Sequence, residues 1–141
     1  MEGIVRITPD KEKAKSIMKM VETSLDMIVS INSKKFPSNV VKEYYEVFRE
    51  LTSVVLLLDG FKTTGEGAHK RLIEYLASNY NQITEYDVSL LEELRTVRNK
   101  IAYEGFFVTE DYLKRNKAAI LEIIKKLKDI ILAKLKTQIE K

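Results

Sequence analysis

The stretch Leu90-Leu91-Glu92-Glu93-Leu94-Arg95-Thr96-Val97-Arg98-Asn99-Lys100-Ile101-Ala102-Tyr103-Glu104-Gly105 reads as one amphipathic helix and its stop. A helix turns by about 100° per residue, so Leu90, Leu94, Val97 and Ile101 stack into a single apolar stripe. A helix with one apolar face must bury it against other elements, and this period points to helices packed on helices. Arg98 does not lie opposite the stripe. It falls on its shoulder, beside Leu91 and Ala102. A guanidinium at the edge of a core keeps its charge and needs acceptors. Further round come Arg95, Asn99 and Tyr103. The arc from Arg98 to Tyr103 therefore presents two cations, an amide, a phenol and one small residue, Ala102. It suits a phosphate, an acidic neighbour or a second subunit. An internal salt bridge with solvated neighbours fits the residues equally well.

The same period recurs on both sides. Thr8 as N-cap and Pro9 at the first helical position predict a first helix, in which Ala14, Ile17, Val21, Leu25 and Ile28 repeat at helical spacing up to Asn32-Ser33. Phe36-Pro37-Ser38 is a break, with Ser38 or Asn39 as the next cap. A second helix is expected from about Val40 to Asp59, with Gly60 as its stop. Its second half, Leu51 to Leu58, is apolar nearly all round, which marks the central helix of a bundle. Residues 60–68 read as a loop, followed by a shorter helix to about Tyr80. Thr84 to Asp87 caps the fourth helix. Thr109 caps a long fifth, with Ile120, Ile123, Ile124, Leu127, Ile130, Ile131 and Leu135 inward. The fold expected is an all-α, single-domain bundle of about five helices over residues 1–141, with helices two, four and five burying the most apolar area. Val54, Leu57, Leu94, Val97, Ile101, Ile124, Leu127 and Ile131 are its expected core.

Composition removes whole classes of chemistry. There is no cysteine and only one histidine, so a disulfide framework, a thiolate nucleophile and a His/Cys metal site within one chain are excluded. No metal and no cofactor are expected. Nothing at the N-terminus reads as a signal peptide, and the longest strictly apolar run, Val54 to Leu58, is far too short to span a bilayer. A cytoplasmic protein without membrane contact is the expectation. The glycines at 60, 65 and 67 bracket a loop, but Glu66 and the absence of a following Lys-Ser or Lys-Thr do not suit a triphosphate loop. Glu43, Glu46 and Glu50 line one side of helix two; a solvated or salt-bridged face is expected there, with one acid as a candidate partner for Arg98. From Lys114 onward the chain carries a net charge of +6, leaving −3 for residues 1–113. Such a basic helix attracts RNA, yet terminal lysines also favour the helix dipole and solubility, and no aromatics interleave with them as a stacking platform.

Arg98-Asn99, three residues and then Tyr103, near the end of the fourth helix, resembles the signature of HEPN domains, the all-helical "higher eukaryotes and prokaryotes nucleotide-binding" family. The family motif is an Arg, four to six residues and then a His, most often with a polar residue such as Asn directly after the Arg. Arg98 and Asn99 match; Tyr103 holds the His position. Ala68-His69-Lys70-Arg71, opening a helix after the glycine-containing loop, is a second and weaker match, and the order of elements fits over nearly the whole chain. The resemblance implies a homodimer in which the fourth-helix motifs face each other across a cleft, where active members cut RNA. It also implies a role in toxin–antitoxin or defence systems, where many members are paired with a minimal nucleotidyltransferase. Carried over, Arg98 and Asn99 orient a phosphate or ribose hydroxyl, Arg95 adds charge, and Tyr103 stands where the proton-transfer His belongs. A phenol with a pKa near 10 is a poor general base at neutral pH. The expectation is therefore a nucleotide- or RNA-binding homodimer without ordinary ribonuclease activity, binding through Arg95, Arg98, Asn99 and Tyr103 and having no catalytic residue. The alternative is a structural or partner-binding helical protein with Arg98 satisfied internally. A lesser one is a ribonuclease that uses Tyr103 or His69 as a substitute.

Overall fold

The computed structural model describes residues 3–140. It is an all-α bundle with one small antiparallel hairpin, in the order β1 (Ile4–Arg6), α1 (Lys11–Ser30), α2 (Pro37–Asp59), β2 (Phe61–Thr63), α3 (Ala68–Asn79), α4 (Glu85–Glu104) and α5 (Glu110–Glu140). α2 is the hub: α1, α3, α4, α5 and β2 all pack on it. From Leu51 to Leu58 every residue except Ser53 is buried, as its all-round apolar sequence requires. α5 lays Ile120, Ile123, Ile124, Leu127, Ile130 and Ile131 into the same core, and α4 adds Leu90, Leu91 and Leu94.

α4 buries less than its sequence promises. Val97 and Ile101 are only partly buried against the core, and no residue beyond Leu94 is fully buried in this helix. The last three turns of α4 thus rise out of the bundle and carry the polar arc into the open. The helix starts as its sequence predicts. Thr84 Oγ1 accepts from the Asp87 backbone at 3.1 Å, and the Asp87 carboxylate accepts from the Thr84 backbone at 3.0 Å. It stops at Gly105, which takes a left-handed φ of 64° that other residues rarely adopt.

Two helix starts differ from expectation. α1 is capped by Asp10, whose carboxylate accepts from the Lys13 backbone at 2.9 Å, and not by Thr8. The Ile7 amide donates to the Gly60 carbonyl at 2.8 Å, which ties residue 7 to the end of α2 and delays the helix past Pro9. α2 begins at Pro37, preset for the first helical position. Ser38 is buried and does not cap; its hydroxyl accepts from the Val108 backbone at 2.9 Å, fastening the α4–α5 connection to α2. The segment after Gly60 is also more than a loop. Phe61–Thr63 pairs with Ile4–Arg6 in the register Ile4↔Thr63, Val5↔Lys62, Arg6↔Phe61. Strands of three residues are too short to show alternation in sequence.

Candidate anion-binding groove

The hairpin and the glycine-rich turn after it set the start of α3 against the exposed end of α4. The side chains that meet there form an open cavity of about 320 Å³. Arg95, Arg98, Asn99 and Tyr103 line it from α4; Ala68, His69 and Lys70 line it from the first turn of α3. All four site residues expected from the sequence are thus brought together. The structure adds His69 and Lys70, which sequence reasoning left as a weak second motif. A second cavity of about 240 Å³ shares Ala68 and His69 as a wall and continues past Arg49 to Lys62 on β2. Among the described residues, five cations and no carboxylate line the two cavities.

Arg98 sits where its helical position puts it. Its side chain is 20% exposed, with Nη2 3.2 Å from Glu46 Oε1 on α2 and Nη1 3.3 Å from Asn99 Oδ1. Its guanidinium carbon lies 6.0 Å from the Tyr45 ring centroid and 5.9 Å from that of Tyr103, within cation–π range of both. Glu46 also accepts from Arg49 Nη2 at 2.8 Å and Nε at 3.0 Å. One carboxylate therefore serves two guanidiniums. Arg95 pairs with Glu92 at 3.3 Å and, at 26% exposed, is nearly as buried as Arg98. The sequence contrast between a core-bound Arg98 and a solvated Arg95 is therefore much reduced.

His69 packs its ring 6.2 Å from the buried ring of Tyr45. Burial lowers its pKa below the usual histidine value; Arg49, Arg98 and Arg95 lower it further, against an opposing pull from Glu46. That shift favours the neutral imidazole, whose free ring nitrogen can accept a hydrogen bond. Burial pushes the Tyr45 hydroxyl up to about 12, although Arg95 and Arg98 pull the other way, so it stays a phenol. Tyr103 is 77% exposed at the mouth of the groove. α3 begins at Gly67 without a side-chain cap, so the first-turn amides keep their donors.

Two competing features carry less. A larger apolar cavity, about 390 Å³, lies between α1, α2 and α5, lined chiefly by Ile28, Val29, Val40, Tyr44, Leu113 and Leu121. Its polar neighbours Glu110 and Lys114 pair with each other at 3.3 Å. The basic α5 helix is largely neutralised within the chain: Lys114, Arg115, Lys125, Lys126, Lys128 and Lys134 each form an ion pair, and Lys141 lies outside the described residues. Among the described residues no acidic or histidine cluster is arranged to hold a metal ion, and no helix is long and apolar enough to cross a membrane. Compared with known proteins, the chain matches no family model, no curated protein and no solved structure, so the geometry carries the functional argument.

Proposed function

We propose that the groove between α3 and α4 binds the phosphate of a nucleotide or an RNA, in an HEPN-like homodimer that lacks ordinary ribonuclease activity. The observation that carries this reading is the meeting of Arg95, Arg98 and Lys70 around one open cavity with no lining carboxylate. Cations held at fixed spacing beside an imidazole and an amide match the oxygens of a phosphate. Tyr103 in the motif's His position leaves the proton transfers of RNA cleavage without their usual agent on α4. Ala102 is exposed beside the groove, small enough to admit the backbone of a second subunit. A minimal nucleotidyltransferase partner and a toxin–antitoxin or defence role belong to the same reading, on the strength of the motif resemblance. So does a cytoplasmic location.

The test is binding of a labelled RNA at low salt. Arg95→Ala and Arg98→Ala are each expected to weaken it, and added salt to weaken it further as phosphate contacts are screened. Affinity unchanged in both variants would sink the proposal. In light scattering, a monomer at high micromolar concentration contradicts the dimer.

One observation favours a second reading. Glu46 and Glu92 satisfy Arg98 and Arg95 inside the fold, which is what a structural or partner-binding protein would need. Absence of binding to any RNA or nucleotide at low salt selects that alternative.

A further inference from the structure

Protein interiors leave few voids larger than a water molecule, so a wide opening into the core calls for a reason. One lies among α1, α2 and α5. Its volume of about 390 Å³ falls inside the range of about 300–1,000 Å³ common to small-molecule sites. It shares no lining residue with the groove between α3 and α4. Ile28 of α1, Val40 and Tyr44 of α2 and Leu113 of α5 are buried and form its walls. Backbone ties preform its mouth. Asn32 Oδ1 accepts from the Lys34 and Lys35 amides, each at 3.1 Å, turning the chain toward the start of α2 at Pro37. The Ser38 hydroxyl, accepting from the Val108 amide, holds the chain entering α5 at the same end.

Two side chains of this cavity make no hydrogen bond or ion pair among the described residues. The first is Tyr44, only 5% exposed, whose hydroxyl pKa is raised by burial with no hydrogen bond contributing. A buried tyrosine hydroxyl ordinarily has a partner. The second is Lys117, one helical turn along α5 from Lys114. Lys114 pairs with Glu110 at 3.3 Å, but with 71% of its side chain exposed that pair is weak. The lining therefore sets two cations against one acid, on a largely apolar wall.

We infer that this cavity is a second binding site, for a carboxylate carried on an apolar chain of about ten carbons, taking roughly 30 Å³ for each carbon, the share of one water in the liquid. The head group meets Lys117, Lys114 and the Tyr44 hydroxyl, and the chain lies against Ile28, Val40 and Leu113. Charge and size together select this occupant. The unpaired ammonium and hydroxyl are both donors, which suits an anionic acceptor and leaves a cationic head unmatched. A docking helix, from a partner or a second copy, does not fit: one turn with its side chains, about 10 Å wide and 5.4 Å long, encloses roughly 420 Å³. An extended hydrocarbon chain does fit.

Titration calorimetry with decanoate, paired with backbone amide shifts by NMR, tests the site. Decanoate is expected to bind and to move residues 28–44 and 113–121. Each carbon removed, down to hexanoate, is expected to weaken binding about fourfold. Decylamine is expected not to bind. Lys117→Glu is expected to weaken decanoate about tenfold, through loss of one attraction and gain of a repulsion, and to leave 1-decanol unchanged. Tyr44→Phe is expected to weaken decanoate about tenfold, the worth of a hydrogen bond to a charged group. Both substitutions should leave the far-UV dichroism of the natural protein intact. No decanoate binding, shifts scattered outside these segments, or unchanged affinity in either variant overturns the inference. So does decylamine binding as well as decanoate, or a homodimer that Leu121→Glu dissociates in sedimentation, which would assign the opening to a second copy.

Discussion

At the scale of single residues, the site turns on Glu46. It holds Arg98 from across the bundle and Arg49 from one turn along its own helix. Removing Arg98 therefore does not strand a carboxylate, and the cost to stability is expected to be about 1 kcal/mol or less, as for a part-exposed pair. His69 senses the same charges. Its pKa is lowered in the free protein by burial first and by the three arginines after it. A phosphate entering the groove reverses that electrostatic pressure, so binding takes up a proton. Affinity for RNA is expected to rise as pH falls below neutrality and to level off once His69 is charged in the free protein too. In the absence of ligand the sign is opposite: a histidine with a lowered folded pKa costs stability as pH falls through the ordinary value near 6.5. Anisotropy across this range checks the first effect. His69→Gln should flatten it, and a steep pH dependence surviving in that variant would rule His69 out. The sequence marked Arg98, its shoulder position and its need for an acid, because those follow from helical period alone. It did not show His69 and Arg98 lining one cavity, since that arrangement depends on a glycine turn and a three-residue hairpin that leave no periodic trace.

At the scale of elements, helix starts decide where side chains point. The capping box of α4 fixes the phase of Arg95, Arg98 and Tyr103, and its acid is also a tie between helices. Asp87 is buried and pairs with Lys126 of α5 at 2.6 Å. Burial works to raise its pKa, but the hydrogen bonds from Lys126 and Thr84 outweigh burial and hold it below the usual aspartate value. The stability this contributes is present above the unfolded value, near 3.9, and is lost as pH falls through it. Asp87→Asn is expected to cost about 1–3 kcal/mol in chemical denaturation, through a weakened cap and an unpaired Lys126. It should also make unfolding less acid-dependent below about pH 4. An Asp87→Asn protein as acid-sensitive as the natural one would show that the tie is not made. Thr84–Asp87 was readable because its spacing is diagnostic. Asp10 and Pro37 were misplaced because Thr8 and Ser38 are equally good capping residues; long-range backbone contacts to Gly60 and Val108 chose between them.

At the scale of the whole molecule, a modest net charge of +3 hides an uneven surface. The last helix holds the excess of lysine, yet six of its cations are tied into ion pairs, three of them to α1, α2 and α4. In and beside the groove between α3 and α4, Arg49, Arg95 and Arg98 are ion-paired as well, but Arg49 and Arg98 share one carboxylate, and no acid lines the cavity itself among the described residues. Long-range attraction follows the local balance of charge more than its sum along a helix. A polyanion should therefore settle at the end of α4 and leave α5 untouched. Backbone amide chemical shifts, followed by NMR during titration with a short single-stranded RNA at low salt, test this most directly. Shifts confined to residues 68–70 and 95–107 are predicted; shifts along α5 or in the apolar cavity beside α1, with residues 68–70 and 95–107 unmoved, would contradict it.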